Sequence, residues 1–360
     1  MKKIAFSIVL LGLYYNVSAQ KLISKNDISE QRFGKEIIYK DKKDHLLNGY
    51  FKIAESSGAY IEVHFVEGKR NGVLKGFDKK GNLIQKRAYQ NGVPVDTYQT
   101  YYPNGKIKVE GRYINGKQDG LWRYYDSDGK LKEQESFKLG TKDGTFTKRY
   151  GKVEEHYKND EPTGKWIEKT NAGKITRERI YSGKGSYTDK KFFTNGQVNH
   201  IQNYKDFKQH GYEEVYSEAG TLLKKTLYDQ DQVVNISEYY DNGNLESYAQ
   251  YKDGLEDGDF IEKYPNGKTR LEGAYDKGSK SGIWKQYALN GELLVSEIGY
   301  KNNVEHGIEK VYFRNGTIER EGQNENGLKV GVWKYYNGEG KLHKTETYKN
   351  GNLVSSKIHD

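Results

Sequence analysis

The chain has 360 residues, of which 30% are charged, with a formal net charge of +9 and a mean hydropathy of −0.99. It contains no cysteine, which excludes disulfides, thiolate zinc sites, a cysteine nucleophile and lipid attachment to an N-terminal cysteine. Its 32 tyrosines, with 41 glycines and only 4 prolines, argue against the disorder that the low hydropathy suggests, because disordered chains are poor in aromatic residues.

The first segment, residues 1–19, has the organisation of a secretion signal. Lys2 and Lys3 precede an apolar run over residues 4–13, and the small residues Ser18 and Ala19 stand before Gln20. A short membrane anchor is the alternative, but the run is shorter than a bilayer requires, and no later stretch is apolar enough to cross one. The sequence therefore predicts a cleaved signal peptide and export to the periplasm, the outer envelope or the medium.

The next segment, residues 20–48, carries a weaker form of the pattern that fills the rest of the chain. Gly34 lies 24 residues before Gly58, and Gly58 lies 23 residues before Gly81. Terminal repeats are commonly atypical because they shield the end of an array from solvent. We predict that residues 20–48 are a degenerate N-terminal capping unit and that residues 49–360 are tandem repeats of about 24 residues.

The repeat is marked by a glycine that recurs at spacings of 22 to 25 residues. It stands at Gly81, Gly105, Gly129, Gly151, Gly173, Gly196, Gly220, Gly243, Gly267, Gly291, Gly316 and Gly340. An aliphatic residue follows two positions after most of these glycines and an aromatic residue eight positions after, as Ile107 and Tyr113 follow Gly105. Both offsets are even, so the two side chains share one face of a strand, and helical spacing does not fit.

Two further aromatic positions precede the glycine. The position four residues before it is aromatic in most repeats, and the position seven residues before it holds all four tryptophans. These offsets differ in parity, so the two side chains face opposite ways on a regular strand unless a bulge intervenes, and both arrangements remain open. The candidate binding or packing aromatics are Tyr101, Trp122, Tyr125, Trp166, Tyr216, Tyr239, Trp284, Tyr287, Tyr312, Trp333 and Tyr336. We expect most of them to serve the packing of the repeat.

Asn-Gly pairs predict the turns, because both residues tolerate the positive φ that hairpin turns need. Examples are Asn104-Gly105, Asn242-Gly243 and Asn266-Gly267. A second turn closes each repeat, so each repeat has two strands and two turns. The predicted fold is all-β: an elongated repeat array of antiparallel β-hairpins that forms a single-layer twisted meander sheet, stabilised by the stacking of neighbouring repeats.

One stretch resembles a known family. The segment from Tyr113 to Tyr125 is similar to the bacterial variant of the MORN repeat, and the segments 279–284 and 328–333 repeat its central part. The resemblance covers nearly all of residues 49–360 and implies hairpins in extended twisted sheets. Bacterial members are often labelled as antitoxins of toxin–antitoxin systems, others are treated as scaffolds, and lipid binding is proposed for some eukaryotic members. The secretion signal departs from the antitoxin picture, because most toxins to be neutralised act in the cytoplasm.

The sequence contains no recognisable catalytic motif. The 8 histidines are scattered, without metal-ligand spacing, and the calcium-like start Asp126-Ser127-Asp128-Gly129 is better explained as a hairpin turn. The adjacent carboxylates Glu154 and Glu155 would point to opposite faces of a strand, which makes them poor acid–base partners. Neither a nucleophile elbow nor a phosphate-binding glycine loop occurs. We expect no catalytic residue, no metal and no cofactor.

Three functions are compatible with these features. The favoured hypothesis is an exported, non-enzymatic repeat scaffold that binds a protein or an envelope polymer along a face of the sheet. The alternatives are an antitoxin that binds a partner toxin directly and, with least support, a polysaccharide-active envelope enzyme. Because lysine and glutamate alternate without a basic run, no nucleic-acid partner is expected. The ligand, the binding face and the oligomeric state are not predicted.

Overall fold

The computed structural model describes residues 20–359. Residues 1–19, for which the sequence predicts a signal peptide, lie outside the described part of the chain, as does residue 360. The chain divides into two compact units, Met1–Glu161 and Pro162–Asp360, which we call the N-terminal and the C-terminal unit.

The described part of the N-terminal unit, from residue 20 onwards, consists of strands joined by short turns, with a 3-10 turn, Lys25–Asp27, after its first strand. Its strands are β1 (Lys21–Ser24), β2 (Ile28–Phe33), β3 (Glu36–Asp41), β4 (Gly49–Ala54), β5 (Tyr60–Val66), β6 (Lys69–Arg70), β7 (Gly72–Phe77), β8 (Leu83–Gln90), β9 (Val93–Tyr101), β10 (Ile107–Ile114), β11 (Lys117–Tyr125), β12 (Leu131–Lys138), β13 (Thr141–Lys142), β14 (Gly144–Lys148), β15 (Val153–Lys158) and, at the boundary, β16 (Glu161–Pro162).

The C-terminal unit is built in the same way. Its strands are β17 (Gly164–Lys169), β18 (Ile175–Gly183), β19 (Ser186–Phe192), β20 (Val198–Lys205), β21 (Lys208–Gln209), β22 (Gly211–Tyr216), β23 (Leu222–Asp229), β24 (Gln232–Tyr239), β25 (Leu245–Lys252), β26 (Leu255–Lys263), β27 (Thr269–Asp276), β28 (Ser279–Tyr287), β29 (Leu294–Lys301), β30 (Val304–Tyr312), β31 (Ile318–Glu325), β32 (Leu328–Tyr336), β33 (Leu342–Lys349) and β34 (Asn352–Ile358).

Strand pairing confirms the all-β meander. Among residues 20–359, hydrogen bonds join 32 strands in one sheet, and β2 and β3 form a separate hairpin. Consecutive strands pair antiparallel, as β11 does with β12 and β27 with β28, whereas β1 runs parallel to β4. The strands form where tyrosine, threonine and β-branched residues alternate with charged ones, a composition that suits a pleated sheet.

The recurrent glycines lie in the turns, as predicted from the sequence. Gly105 and Gly267 have φ values of 81° and 82°, in the left-handed region that glycine tolerates. The preceding Asn266 accepts a hydrogen bond from the Lys268 amide at 3.0 Å and donates one to the Leu289 carbonyl at 2.9 Å. Leu289 lies in the next repeat, so the asparagine ties successive turns together, as do Asn104, Asn195, Asn242 and Asn315 through carbonyls 23 residues further on.

The register resolves the orientation that parity left open. In β11 the pairing shifts between Tyr124 and Tyr125, and the unpaired extra residue, Lys132, belongs to the partner strand β12. The alternation within β11 is therefore intact, and Trp122 and Tyr125 point to opposite faces. The same shift recurs at the end of β28 and of β32. We call the two surfaces the tryptophan face and the tyrosine face.

Apolar burial is concentrated at the beginning of the chain. A cluster of eight buried residues joins β3, the segment before β4, and strands β4, β5, β7 and β8: Tyr39, Leu47, Phe51, Ile53, Val63, Phe65, Leu74 and Tyr89. The β2–β3 hairpin contributes Tyr39 and packs Ile28 and Ile37 against this cluster. Residues 20–48 thus cover the apolar start of the repeat sheet, as an end cap would. That they are a degenerate repeat stays a prediction.

Candidate functional site

The tryptophan face is a packing surface. Trp122, Trp284 and Trp333 are 3%, 3% and 0% exposed. Each indole lies on a glycine eleven residues earlier, on the preceding strand, where a Cβ would overlap the ring: Gly111, Gly273 and Gly322. The Lys280 and Lys329 ammonium groups lie 4.3 and 4.1 Å from the Trp284 and Trp333 ring centroids and cover them from solvent.

Neighbouring aromatic rings complete this packing. The Trp122 ring centroid lies 5.2 Å from that of Tyr98 and 5.0 Å from that of Tyr113, and Trp284 has equivalent neighbours in Phe260 and Tyr275. Edge-to-face pairs at such distances stabilise a core beyond the area that they bury. These three tryptophans are therefore packing residues, and their rings are not available to a ligand.

Trp166 departs from the other three. The residue eleven positions before it is Glu155, so no glycine makes room for the indole. Trp166 is half-buried and lies 4.9 Å from the Tyr181 ring. The glycine eleven residues earlier thus distinguishes the fully buried tryptophans from the half-buried one, and this signal is present in the sequence.

The tyrosine face has a repeating pattern of its own. On β28 an exposed aliphatic, a cation and a half-buried tyrosine follow at alternate positions: Ile283, Lys285 and Tyr287. β11 carries Leu121, Arg123 and Tyr125, and β32 carries Val332, Lys334 and Tyr336. The three aliphatic side chains are 42%, 49% and 54% exposed at Leu121, Ile283 and Val332. Each strand therefore presents apolar area, positive charge and an aromatic ring along one row.

A glutamate on the preceding strand holds the hydroxyl of four tyrosines on this face. Tyr125 donates to Glu110 at 2.7 Å and Tyr287 to Glu272 at 2.8 Å. Tyr312 and Tyr336 do the same to Glu297 at 2.8 Å and Glu321 at 2.7 Å. The same carboxylates face the cations, since Glu110 lies 3.5 Å from Arg123 and Glu321 lies 3.5 Å from Lys334. The tyrosine rings are thereby fixed in place.

These contacts alter the titration of the phenols. Burial, and then the hydrogen bond to the glutamate, raises the pKa of Tyr287, of Tyr312 and of Tyr336 to about 12. Hydrogen bonding to Tyr336 in turn lowers the pKa of Glu321. The hydroxyls stay protonated at neutral pH and are committed to the sheet, so what each tyrosine offers a ligand is its ring.

The other predicted tyrosines occupy the equivalent position with different partners. Tyr101 donates to Gln99 at 2.8 Å and Tyr216 to Glu214 at 2.8 Å, in both cases within the same strand. Tyr239 is half-buried at the end of β24. The structure thus brings the predicted tyrosines to one kind of position and separates them from the tryptophans.

A shallow groove of about 430 Å³ opens on the tyrosine face across β26, β27 and β28. Ile261, Ala274 and Ile283 supply apolar walls, and Glu272 and Lys285 supply a pair of opposite charges. Gly273 also lines the groove, and Trp284 packs on the opposite side of this glycine.

Buried polar clusters replace the tryptophan position in two repeats, and sequence reasoning missed them. Asp189 is 4% exposed and accepts from Arg177 Nε at 2.8 Å and from Arg179 Nε at 3.4 Å. Glu309 is 7% exposed and accepts from Arg320 at 3.1 Å and from the Asn324 amide at 2.8 Å. The available signal was a charged residue seven positions before the repeat glycine, where most other repeats hold a large apolar residue.

Residues 20–359 hold no group of three or more metal-ligating side chains. Within the same range no helix has the length and apolarity needed to span a membrane.

Comparison with known proteins identifies the repeat type. The model of the MORN repeat variant matches residues 97–115, 118–139, 235–253, 305–324 and 329–350. No curated protein matches the sequence.

Solved structures give weaker likenesses. A TcdB2-TccC3-Cdc42 complex is 12% identical over 90% of this chain and 25% of that one, with a TM-score of 0.14, so the present chain spans about a quarter of it. A eukaryotic initiation factor is 10% identical over 92% and 87%, with a TM-score of 0.16. A Lactobacillus plantarum protein is 10% identical over 91% and 93%, with a TM-score of 0.12.

Proposed function

We propose that this chain, which belongs to the MORN-repeat family, is an exported, non-enzymatic scaffold that binds a protein or an envelope polymer along the tyrosine face. The observation that carries the proposal is the row of aliphatic, cation and tyrosine side chains on that face, which recurs on β11, β28 and β32. A repeated row of this kind suits a partner that is itself extended.

The chemistry of the row supports binding. Rings of half-buried tyrosines stack on sugar rings and on apolar side chains, and exposed aliphatics such as Ile283 and Val332 add apolar area. Lysine and glutamate beside each ring fix polar groups of a partner and discourage wrong ones. Because the hydroxyls are held by glutamates, the rings are ordered before binding and lose little conformational entropy.

The tryptophan face is the less suitable surface. Its largest rings are buried on glycines and covered by Lys280 and Lys329, so a partner would have to displace these contacts to reach them. The geometry that recurs at Trp122, Trp284 and Trp333 serves packing between strands.

Binding through repeats predicts graded loss. Each repeat adds a weak contact, and contacts made on one chain reinforce one another through their high effective concentration. No single substitution on the tyrosine face should therefore abolish binding. The native protein is incubated with envelope preparations that have been treated with protease or with polysaccharide-degrading enzymes. If one treatment abolishes retention of the protein, that treatment identifies the class of partner. If the untreated envelope preparation does not retain the protein, the proposal is contradicted.

Export has its own test, cell fractionation with N-terminal sequencing of the native protein. We expect a mature chain that begins at Gln20, in the envelope or the medium. A chain that keeps Met1 in the cytoplasm would contradict export and make the antitoxin hypothesis the leading one. In that case, relief of a neighbouring gene product's toxicity by direct binding becomes the decisive measurement.

A further inference from the structure

A cavity of about 540 Å³ lies in the N-terminal unit, between the β2–β3 hairpin and strands β4 to β8. Its walls combine apolar side chains, among them Ile28, Ile53 and Leu74, with the rings of Tyr39 and Tyr89. The volume is in the range of small-molecule sites, which are about 300–1,000 Å³ and mostly apolar with a few converging polar groups.

Two guanidinium groups supply the polar part. Arg70 lies with its Cζ 4.7 Å from the Tyr39 ring centroid and 5.4 Å from that of Tyr89, and it donates to the Tyr89 hydroxyl at 3.3 Å. Arg87 lies 5.4 Å from the same Tyr89 ring and 4.9 Å from that of Tyr113. The two cations thus share one tyrosine at the wall of a single cavity.

Neither arginine has a counter-ion among the described residues. No carboxylate of residues 20–359 is recorded within salt-bridge distance of Arg70 or Arg87, and both Nε atoms are buried without a hydrogen-bond acceptor. Of the two carboxylates that line the cavity, Glu55 is exposed and paired with Lys25 at 2.7 Å, and Glu30 is exposed at the rim. Two partly buried positive charges that line one cavity without a counter-ion are costly unless an anion joins them.

The tyrosines add donors. Burial, which outweighs the opposing charge of Arg70, raises the pKa of Tyr39, so its hydroxyl stays protonated at neutral pH. Guanidinium forks bind carboxylate and phosphate groups through paired, charge-assisted hydrogen bonds.

We propose that this cavity binds a small amphiphilic anion, with its carboxylate or phosphate group between Arg70 and Arg87 and its apolar body against Ile28, Ile53 and Leu74. The site is separate from the tyrosine-face rows of β11, β28 and β32. The outcome of a test of this anion site therefore does not bear on the proposed scaffold function.

The test is calorimetric titration of the full chain with hexanoate, hexyl phosphate and hexanol. We expect saturable binding of one or both anions, and binding of hexanol weaker by about tenfold or more because it lacks the charge-assisted bonds. The tighter of the two anions identifies the head group. Absence of saturable binding by both anions, or hexanol binding as well as they do, would overturn the proposal.

Variants locate the site. Arg70→Met and Arg87→Met keep the length of the side chain and remove its charge, and each should weaken anion binding by about tenfold or more. Arg314→Met, at an exposed turn of the C-terminal unit, is the control and should leave binding unchanged. Arg87→Lys retains the charge and protects the test against loss of folding, with affinity expected between that of the wild type and that of Arg87→Met. Binding unaltered in every cavity variant would place the anion elsewhere and refute the assignment.

Discussion

The indole ring of Trp333 lies on Gly322 of the neighbouring strand and fills the space that any larger residue would need for its Cβ. Trp333 is fully buried, and its indole Nε1 donates to the Gln323 carbonyl at 3.2 Å. Trp284 repeats both features on Gly273 and Ala274. A glycine and a tryptophan eleven residues apart thus form one packing unit, which connects the spacing of the sequence to the stability of the sheet.

Gly322→Ala should destabilise the C-terminal unit by about 1–3 kcal/mol, because the methyl group forces the Trp333 ring out of its place. Equilibrium urea unfolding, followed by tryptophan fluorescence, measures the effect. Gly183→Ala is the matched control, since Gly183 also lies in a strand without a positive φ and its Cβ would meet open space. Its effect should stay within about 0.5 kcal/mol. Equal effects of the two substitutions would contradict the packing unit.

The buried Glu309 cluster should be replaceable by the aromatic pair of another repeat. Phe260 and Tyr275 hold the corresponding positions beside Trp284, with ring centroids 5.5 Å apart. The triple variant Glu309→Phe, Arg320→Leu and Asn324→Tyr replaces the whole ion pair and is expected to be as stable as the wild type or more stable, because well-packed apolar groups often equal a buried ion pair.

Removal of the cation alone supplies the contrast. Arg320→Met leaves the Glu309 carboxylate buried without its charge partner and should cost about 2 kcal/mol. Both variants are compared by urea unfolding. A triple variant that is less stable than Arg320→Met would show that the polar cluster is required at this repeat.

Asp189 makes stability depend on pH. Burial alone would raise the pKa of its carboxyl, but hydrogen bonds from Arg177 and the charges of Arg177 and Arg179 lower it below the ordinary value. The folded-state pKa is depressed, so this contribution is complete above the unfolded-state pKa of about 3.9 and is lost as the pH falls through the folded-state value.

Asp189→Asn should therefore destabilise the protein at pH 7 by about 2 kcal/mol, and its difference from the wild type should shrink below about pH 4. Thermal unfolding between pH 2.5 and pH 7 measures both. Glu339→Gln, in an exposed turn, is the control and should show no such pH-dependent difference. A gap between Asp189→Asn and the wild type that stays constant over this range would disprove the ion-pair account.

Asparagine in the turns should stabilise the fold through its hydrogen bond to the next repeat, in addition to tolerating the turn conformation. Asn266→Asp keeps the acceptor for the Lys268 amide and removes the donor to the Leu289 carbonyl, so it should cost about 0.5–1.5 kcal/mol. Asn290→Asp is the control, because Asn290 accepts from Glu292 and Leu293 amides and has no recorded bond to the next repeat. The two Tm values decide, and an equal loss would refute the connection between turns.

The sequence predicted the features that depend on local chemistry. Gly267 lies in a left-handed turn conformation because few other residues tolerate it. The expectation that Ile107 and Tyr113 share one face of β10 was wrong, because the pairing of β10 with β9 shifts between Ile107 and Val109 and breaks the alternation. Ile107 pairs with Tyr101, whereas Tyr113 packs on Trp122 on the tryptophan face. The MORN-repeat assignment and the all-β meander followed from the same period, and both are confirmed.

What escaped prediction depends on partners distant in sequence. The sequence could not show whether Trp122 and Tyr125 lie on the same face, because that depends on whether a bulge falls between them. The bulge at this point lies in the partner strand β12. The parallel pairing of β1 with β4 leaves no periodic trace. The glycine beneath each tryptophan and the acid at position 309 are visible in the sequence, but only cross-strand register gives them meaning.

The most direct test of the scaffold account compares two matched sets of exposed aliphatic residues in the envelope-binding assay. Leu121→Ser, Ile283→Ser and Val332→Ser alter the tyrosine face, whereas Leu255→Ser, Val304→Ser and Leu328→Ser alter side chains of 50%, 44% and 49% exposure at the hairpin ends. Each tyrosine-face substitution should weaken binding about fivefold, and in the triple variant these factors should multiply. The control set should leave binding unchanged. Equal effects of the two sets, or complete loss from one substitution in a folded protein, would contradict binding along the tyrosine face.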